Sequence, residues 1–472
     1  MRGRWLTICL AAAGLVPAFA SLGLGAAASG GGQARPNVLF ILADDLGWGD
    51  LSCYGHRELR TPNLDRLAAE GTRLTQFHVC SGVCSPSRTA FMTGRYPARL
   101  AIHGHLARPD QNAARGMPNW LDPAAGTLPK LLKQAGYATA HFGKWHLGHG
   151  ADAPSPDQYG FNAFRAVNAN PEGFKAGEPY FRANSTQYIF DETIKFIEQH
   201  REGPFYVQAW LLLPHATLNP TEEQMEPYAR FGPTVKVPYK GTKQIYYASV
   251  GAIDREIGRL MAKLGELGVA DNTIVVFSSD NGPEDIAIGN ATHSGIGSPG
   301  PLRGRKRSLY EGGVRVPFIV RWPGTTPQGK VDNTSVVAGC DFLPTFCAIA
   351  GVKLPEGLLV DGEDRSAVLR GEASARTKPL MWEWRFSIAN HVWNKSPILS
   401  IREGDYKLLM NPDRSRVELY DIPRDPSEYN NLADKHPDVV ERMAAQVLAW
   451  QKTLPPGPMD RDAGSNVYPW PK

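Results

Sequence analysis

Between Asn37 and Ala43 the chain reads Asn-Val-Leu-Phe-Ile-Leu-Ala, with no polar position after the first. An unbroken apolar run of this length suits a strand buried on both faces of a parallel sheet. The stretch Thr61-Pro62-Asn63-Leu64-Asp65-Arg66-Leu67-Ala68-Ala69-Glu70-Gly71 reads instead as a helix, with Thr61 to cap it, Pro62 in its first turn and Gly71 at its end. Beyond it the two periods alternate. Helices are predicted over Leu128–Ala135, Ser185–Gln199 and Ile245–Leu267, and strands over Tyr137–Phe142, Phe205–Leu213 and Ile274–Ser278. Alternation of this kind argues for an α/β fold around a large, mostly parallel sheet flanked by helices. Past residue 375 it gives way to short strands at Leu380–Trp384, Pro397–Arg402, Tyr406–Met410 and Glu418–Asp421, then a helix over Pro437–Thr453. That is the pattern of a small antiparallel four-stranded sheet with one helix, and the tail from Pro455 to Lys472 is rich in Pro, Gly and Asp. The expected organisation is a leader and spacer over 1–34, a large domain over 35–375, and a C-terminal α+β subdomain with its tail over 376–472.

The N-terminus changes the picture of where the chain works. Arg2 and Arg4 precede an apolar run from Trp5 to about Leu24, and Ala18-Phe19-Ala20 or Ala26-Ala27-Ala28 offers a small-residue cleavage site. This reads as a secretory signal peptide. Gly14, Pro17 and Gly23 interrupt the run, which disfavours an uncleaved anchor, and no later stretch reaches the ~20 apolar residues needed to span a bilayer. Export to the periplasm or the medium is therefore expected, with no stable membrane insertion after cleavage. A net charge of +4 over 472 residues, without a basic stripe, argues against nucleic acid as a partner. Of the six cysteines, Cys9 lies in the leader, while Cys53, Cys80, Cys340 and Cys347 show no paired metal spacing and leave disulfide pairing open. Sequons at Asn184, Asn290 and Asn333 matter only in a host that glycosylates.

Candidate chemistry collects at the carboxyl ends of the predicted strands, where open α/β sheets form their sites. Asp44 and Asp45 follow the first strand, Lys144 and His146 the strand ending at Phe142, His215 the run through Leu213, and Asp280 and Asn281 the strand ending at Ser278. The four acidic and amide side chains offer only oxygens, which suits calcium or magnesium better than zinc. Adjacent carboxylates at one strand end repel strongly without a cation between them. Cys84, just before Ser85 and Pro86, would open a helix through Thr93 and face its positive end, where oxyanions are stabilised. Arg88, Lys144 and Lys306 are cations suited to spread negative charge. His146 and His215 carry imidazoles, which ordinarily titrate near neutral pH and are expected to move protons. Each of these features alone is as well explained by a turn, a cap or a solvated loop; their convergence is the signal.

Cys84-Ser85-Pro86-Ser87-Arg88 followed by Thr89-Ala90-Phe91-Met92-Thr93-Gly94-Arg95 resembles the signature of the type I, formylglycine-dependent sulfatases of the alkaline phosphatase superfamily. The resemblance runs in order through Cys53-Tyr54-Gly55, Gly143-Lys144-Trp145-His146, Ser279-Asp280-Asn281-Gly282, Pro301-Leu302-Arg303-Gly304, Tyr310-Glu311-Gly312-Gly313-Val314-Arg315 and Glu418-Leu419-Tyr420-Asp421. It implies that Cys84 is oxidised to formylglycine (3-oxoalanine) by a host formylglycine-generating enzyme. It implies one calcium ion held by Asp44, Asp45, Asp280, Asn281 and an oxygen of modified residue 84. By the same resemblance Arg88 orients the hydrated aldehyde, Lys144 and Lys306 bind sulfate, His215 with Lys306 protonates the leaving alcohol, and His146 assists sulfate release. The implied fold is a large mixed sheet plus a smaller four-stranded sheet.

A hydrated aldehyde has two hydroxyls on one carbon, so one can attack sulfur and the other can later expel sulfate; a serine would stay sulfated. Arg305 and Arg307, flanking Lys306, depart from the family pattern, and their side chains either turn away or meet an acidic substrate. His103, His105, Arg108 and Arg303 are candidates for the substrate rim, as are Trp384, Arg385, His391 and Trp393 from the C-terminal part. The expected activity is hydrolysis of a sulfate ester, on a sulfated saccharide or an aryl sulfate. The alternatives are a phosphate mono- or diesterase using the same site, or a glycan-binding protein without turnover.

Overall fold

The large sheet has nine strands and is mixed, as expected. The strands are β1 (Asn37–Ala43), β2 (Thr72–His78), β3 (Ala138–Lys144), β4 (Ala163–Val167), β5 (Phe205–Trp210), β6 (Thr273–Ser279), β7 (Arg315–Arg321), β8 (Lys330–Asp332) and β9 (Val337–Ala338). Their spatial order is β4-β3-β5-β1-β6-β7-β2-β8, with β9 paired to β2. Only β7 runs antiparallel to its neighbours, β6 and β2. The computed structural model describes residues 35–170, 172–174, 178, 180–236, 240–285, 293–387 and 391–466. The predicted signal peptide and spacer, the Asn290 sequon and the last residues of the tail lie outside the described residues.

The apolar run of β1 is explained by its place at the centre, between β5 and β6. Val38, Phe40 and Leu42 enter one apolar core, and Leu39, Ile41 and Ala43 enter the other on the opposite face. The period-2 pleat thus needs an apolar residue at every position. The helix expected after Thr61 forms over Pro62–Ala69, but Thr61 makes no capping bond. The N–H groups of Asn63 and Leu64, which have no acceptor within the helix, donate instead to Asp254 Oδ1, at 3.1 and 2.8 Å, from the distant helix Thr242–Glu266.

A second sheet is antiparallel, in the order β10-β11-β12-β13: Leu380–Glu383, Leu399–Glu403, Tyr406–Met410 and Glu418–Asp421. The helix Pro437–Gln451 packs Met443, Ala444 and Val447 into the core that also holds Leu399, Ile401 and Phe40, so one apolar core reaches from sheet to sheet. An ionic cluster crosses the same boundary. Glu311 receives Lys407 Nζ at 2.9 Å and lies 3.0 Å from His78 Nε2, and Lys407 also reaches Glu428 at 3.0 Å. No helix among the described residues is long and apolar enough to cross a membrane. The five described cysteines are all free thiols.

Candidate active site

Four strands of the large sheet deliver the site. Asp44 and Asp45 leave the end of β1, Asp280 and Asn281 the end of β6, Lys144 closes β3 with His146 two residues on, and His215 lies in the segment after β5. Cys84 is the first residue of the helix Cys84–Thr93, every residue of which is buried. Two glycines set this arrangement. Gly143 has φ +107°, and a Cβ there would sit 1.9 Å from the Trp210 carbonyl oxygen, so only glycine lets β3 deliver Lys144 beside β5. Gly282 donates to Gly313 O at 2.9 Å, and a Cβ would lie 1.9 Å from Gly312 O. The turn after β6 is thereby pressed against the turn before β7.

The side chains interlock by charge. Lys144 Nζ donates to Asp44 Oδ2 at 2.7 Å and Lys306 Nζ to Asp45 Oδ2 at 2.6 Å. Arg88 grips Asp280 Oδ2 through Nε and Nη2, at 3.0 and 2.7 Å, and its Nη1 donates to Lys144 O at 2.8 Å. Asn281 Nδ2 donates to Asp45 Oδ1 at 2.7 Å, and Asp45 N to Asp280 Oδ1 at 3.2 Å. Cys84 Sγ lies 3.2 Å from His146 Nδ1. The sequence-predicted nucleophile, metal ligands, cations and both histidines are therefore brought together. Asp45 and His146 hold this geometry at φ 66° and 56°, left-handed backbone that costs on the order of 1 kcal/mol per residue.

Electrostatics follow from burial. Taking Asp44 out of water opposes its ionisation, but Lys144, His215, Arg88 and Lys306 outweigh that and hold its carboxyl well below the usual range. Asp280 is pushed up to about 8, by burial first and then by Asp44, against the pull of Arg88. Burial, then Lys144 and Arg88, drive His146 well below the ordinary imidazole range. Its Nε2–H donates to Leu106 O at 3.0 Å, so the neutral ring turns the Nδ1 lone pair toward Cys84. His215 places Nδ1–H on Ala216 O at 2.6 Å and leaves Nε2 3.8 Å from Asp45 Oδ2. Burial and then Lys306 lower its pKa.

The donor set fits a hard divalent cation. Asp44, Asp45, Asp280 and Asn281 present oxygens only, and Asp44 Oδ1 and Asn281 Oδ1 are buried with no hydrogen-bond partner among the described residues. Asp44, Asp45 and His215 each bring a ligand atom within 4.8 Å of the others.

The sulfatase family pattern matches residues 36–352, and the pattern described as N-sulphoglucosamine sulphohydrolase, C-terminal, matches residues 304–453. The chain belongs to the sulfatase family. It is 31% identical to the N-acetylgalactosamine-6-sulfatase of Canis lupus familiaris, over 94% of this chain and 90% of that protein. It is 30% identical to arylsulfatase A of Bos taurus, over 92% and 90%. The structure of Ps i-CgsB in complex with k-i-k-neocarrahexaose superposes with a TM-score of 0.75 at 26% identity, covering 92% of this chain and 96% of that one. This sulfatase is thus a sulfuric ester hydrolase with the alkaline phosphatase-like fold.

The substrate-rim candidates of the sulfatase fare differently. His103 is buried, with Nδ1 3.3 Å from Glu383 Oε2, close in distance though not aligned as a hydrogen bond. Its ring thus sits at the junction with β10. Arg303 is likewise committed: its guanidinium lies 3.8 Å over Tyr310 and 4.1 Å over Trp393, and donates to Tyr420 Oη at 3.2 Å. Arg108 is exposed and pairs with Asp110 at 3.0 Å. His105 alone stays beside the cluster, its ring centroid 6.5 Å from that of His146. Arg305 turns to the carbonyl oxygens of Glu284 and Gly295, at 2.8 and 3.2 Å.

Two partners escaped the sequence reading. Glu284 lies 3.3 Å from Lys306 Nζ and binds both terminal nitrogens of Arg307. Leu106 receives His146 on its carbonyl, while its N–H donates to Ser85 Oγ at 3.0 Å and ties that loop to the signature helix. Glu284 stands only two residues after the Asp280-Asn281-Gly282 turn, which is the one hint the sequence offered.

Proposed function

We propose that this sulfatase cleaves sulfate esters of saccharides outside the cytoplasm, with Cys84 converted to formylglycine by the host maturation enzyme and one calcium ion in the acidic cluster. What carries the reading is the position of Cys84: a side chain at a helix N-terminus beside the unprotonated His146 Nδ1, within a ring of buried cations and oxygen ligands. Asp44, Asp45, Asp280 and Asn281 would hold a divalent ion, which would supply positive charge where negative charge gathers on the sulfate oxygens. As formylglycine, residue 84 supplies the attacking hydroxyl and a second one through which sulfate is later expelled.

The chain's own residues do the rest. Lys144 and Lys306 are buried ammonium groups fixed by Asp44 and Asp45, so they stabilise charge on the sulfuryl group without reorganising. Arg88, locked by Asp280 and the Lys144 carbonyl, holds the first turn of the signature helix in register with β3. His146, anchored through Nε2–H, takes a proton from residue 84 at Nδ1. His215, with Nε2 3.8 Å from Asp45 Oδ2, stands with Lys306 where the leaving alcohol must receive its proton, and burial with Lys306 keeps the resting ring neutral.

The test is release of inorganic sulfate by full-length protein whose conversion at residue 84 has been verified by mass. An aryl sulfate and defined sulfated saccharides are compared with matched phosphate esters. Turnover of sulfate esters with the higher kcat/KM is expected; a preference for the phosphate esters, or no sulfate released, overturns the reading.

A further inference from the structure

A cavity of about 190 Å3 lies beside the cluster, and none of the catalytic roles above uses it. His105, Arg115, Arg307, Trp384, Phe386 and Asp460 line it. It adjoins the chemistry at two points. His105 stands next to His146, and the Glu284 that binds Arg307 also faces Lys306.

Its walls have a definite character. Trp384 and Phe386 meet edge to face with centroids 5.3 Å apart, giving the cavity an aromatic side. Of its charged groups, Arg307 is neutralised by both oxygens of Glu284, and Asp460 Oδ2 accepts the N–H of Ser387 at 2.8 Å. Arg115 differs. Its guanidinium lies 5.5 Å over the Phe386 ring and makes one long donation, 3.5 Å, to His105 O. Among the described residues nothing else engages its donors, and a guanidinium carries five of them in a planar fork that matches a carboxylate or a sulfate.

We propose that this cavity receives the part of the saccharide beyond the scissile sulfate, and that Arg115 reads a second anionic group there. Trp384 and Phe386 supply the apolar wall against which the sugar ring lies. The inference rests on the sulfate-ester reading above and adds the substrate class: a saccharide carrying a carboxylate or a second sulfate on that part.

The test uses fully converted protein and four substrates. One is an aryl sulfate with no second anion; the others are sulfated disaccharides whose second ring is neutral, bears a carboxylate, or bears another sulfate. Wild type is expected to favour at least one anionic disaccharide over the neutral one by ~10–100-fold in kcat/KM, the scale of one charge-assisted contact. Which arm shows the preference tells the carboxylate from the sulfate. Arg115→Gln erases the preference mainly through KM, and Arg115→Lys restores part of it. Phe386→Ala weakens all three disaccharides alike. Turnover of the aryl sulfate without such a preference, or a preference that survives Arg115→Gln in a variant of unchanged Tm, overturns the subsite alone. No turnover of any of the four by wild type overturns the sulfate-ester reading and the subsite with it.

Discussion

The acidic cluster at the ends of β1 and β6 and the ionic cluster between the two sheets use the same residue types, at similar depth, and close differently. Between the sheets, Glu311 and Glu428 share Lys407, with His78 and Arg315 completing Glu311 at 3.0 and 3.3 Å. The side chains of His78, Glu311 and Lys407 are fully buried. At the strand ends each carboxylate also has its cation, yet Asp44 Oδ1 and Asn281 Oδ1 keep no hydrogen-bond partner among the described residues. Burying an ion costs several kcal/mol unless its lone pairs are met. The cluster between the sheets holds two sheets together, and its one oxygen without an aligned hydrogen bond, Glu428 Oε1, still lies 3.0 Å from the Lys407 ammonium. The other leaves oxygens open to a ligand, beside Cys84. Perturbed pKa values occur in both, so they do not tell a site from a staple here; unmet oxygens next to a nucleophile do.

The sharpest way to break this contrast is Cys84→Ala. Sulfate release should fall by at least ~10^3-fold while the urea midpoint stays at the wild-type value; retained turnover removes the nucleophile from the argument. Lys407→Met should do the opposite. It leaves Glu311 and Glu428 without their shared ammonium and should cost about 3–5 kcal/mol in urea unfolding, with kcat per folded molecule preserved. A cost under about 1 kcal/mol would mean the second cluster is no staple. Chelation comes next. A strong chelator should lower both sulfate release and Tm, the latter by a few degrees, and calcium should restore both; an unchanged Tm argues against a resident ion.

Protonation sharpens the comparison further. His78 is lowered to about 4, by burial first, so between pH 4 and its ordinary 6.5 the unfolded chain holds a proton the folded one lacks, and stability rises with pH. Glu428 is raised to about 7, by burial first and by Glu311, against Lys407. Its contribution is whole below its ordinary 4.5 and is lost as pH rises through 7. In the wild type the two slopes oppose each other from pH 5 to 6.5. Glu428→Gln should therefore gain stability with pH more steeply than wild type, read by urea melts at those two values. Equal slopes would take Glu428 out of the titration. The smallest effect is expected at Arg108, exposed and paired only with Asp110; Arg108→Ala should leave Tm and kcat/KM within scatter.

Much of this was legible along the chain. The apolar run at Asn37–Ala43 marked the central strand because both of its faces are buried, and the four C-terminal strands appear close to their predicted bounds. Asp44, Asp45, Lys144, Asp280 and Asn281 could be placed at one edge because strand ends of a parallel sheet share a side. Other contacts had no local trace. The first helix draws its cap from Asp254, not from Thr61, because the packing of two helices brought a better acceptor. Arg303 and His103 read as rim residues, yet one is stacked between Tyr310 and Trp393 and the other faces Glu383.

Hydrophobic period and turn chemistry act over a few residues, so the sequence alone was enough to determine the elements, their class, and which polar groups stand at strand ends. Which of those groups meet, which oxygens stay open, and where Arg115 finds an aromatic wall depend on loops that approach only when the sheets close. Those distances come from packing among segments far apart in the chain, and the tertiary structure alone decided them.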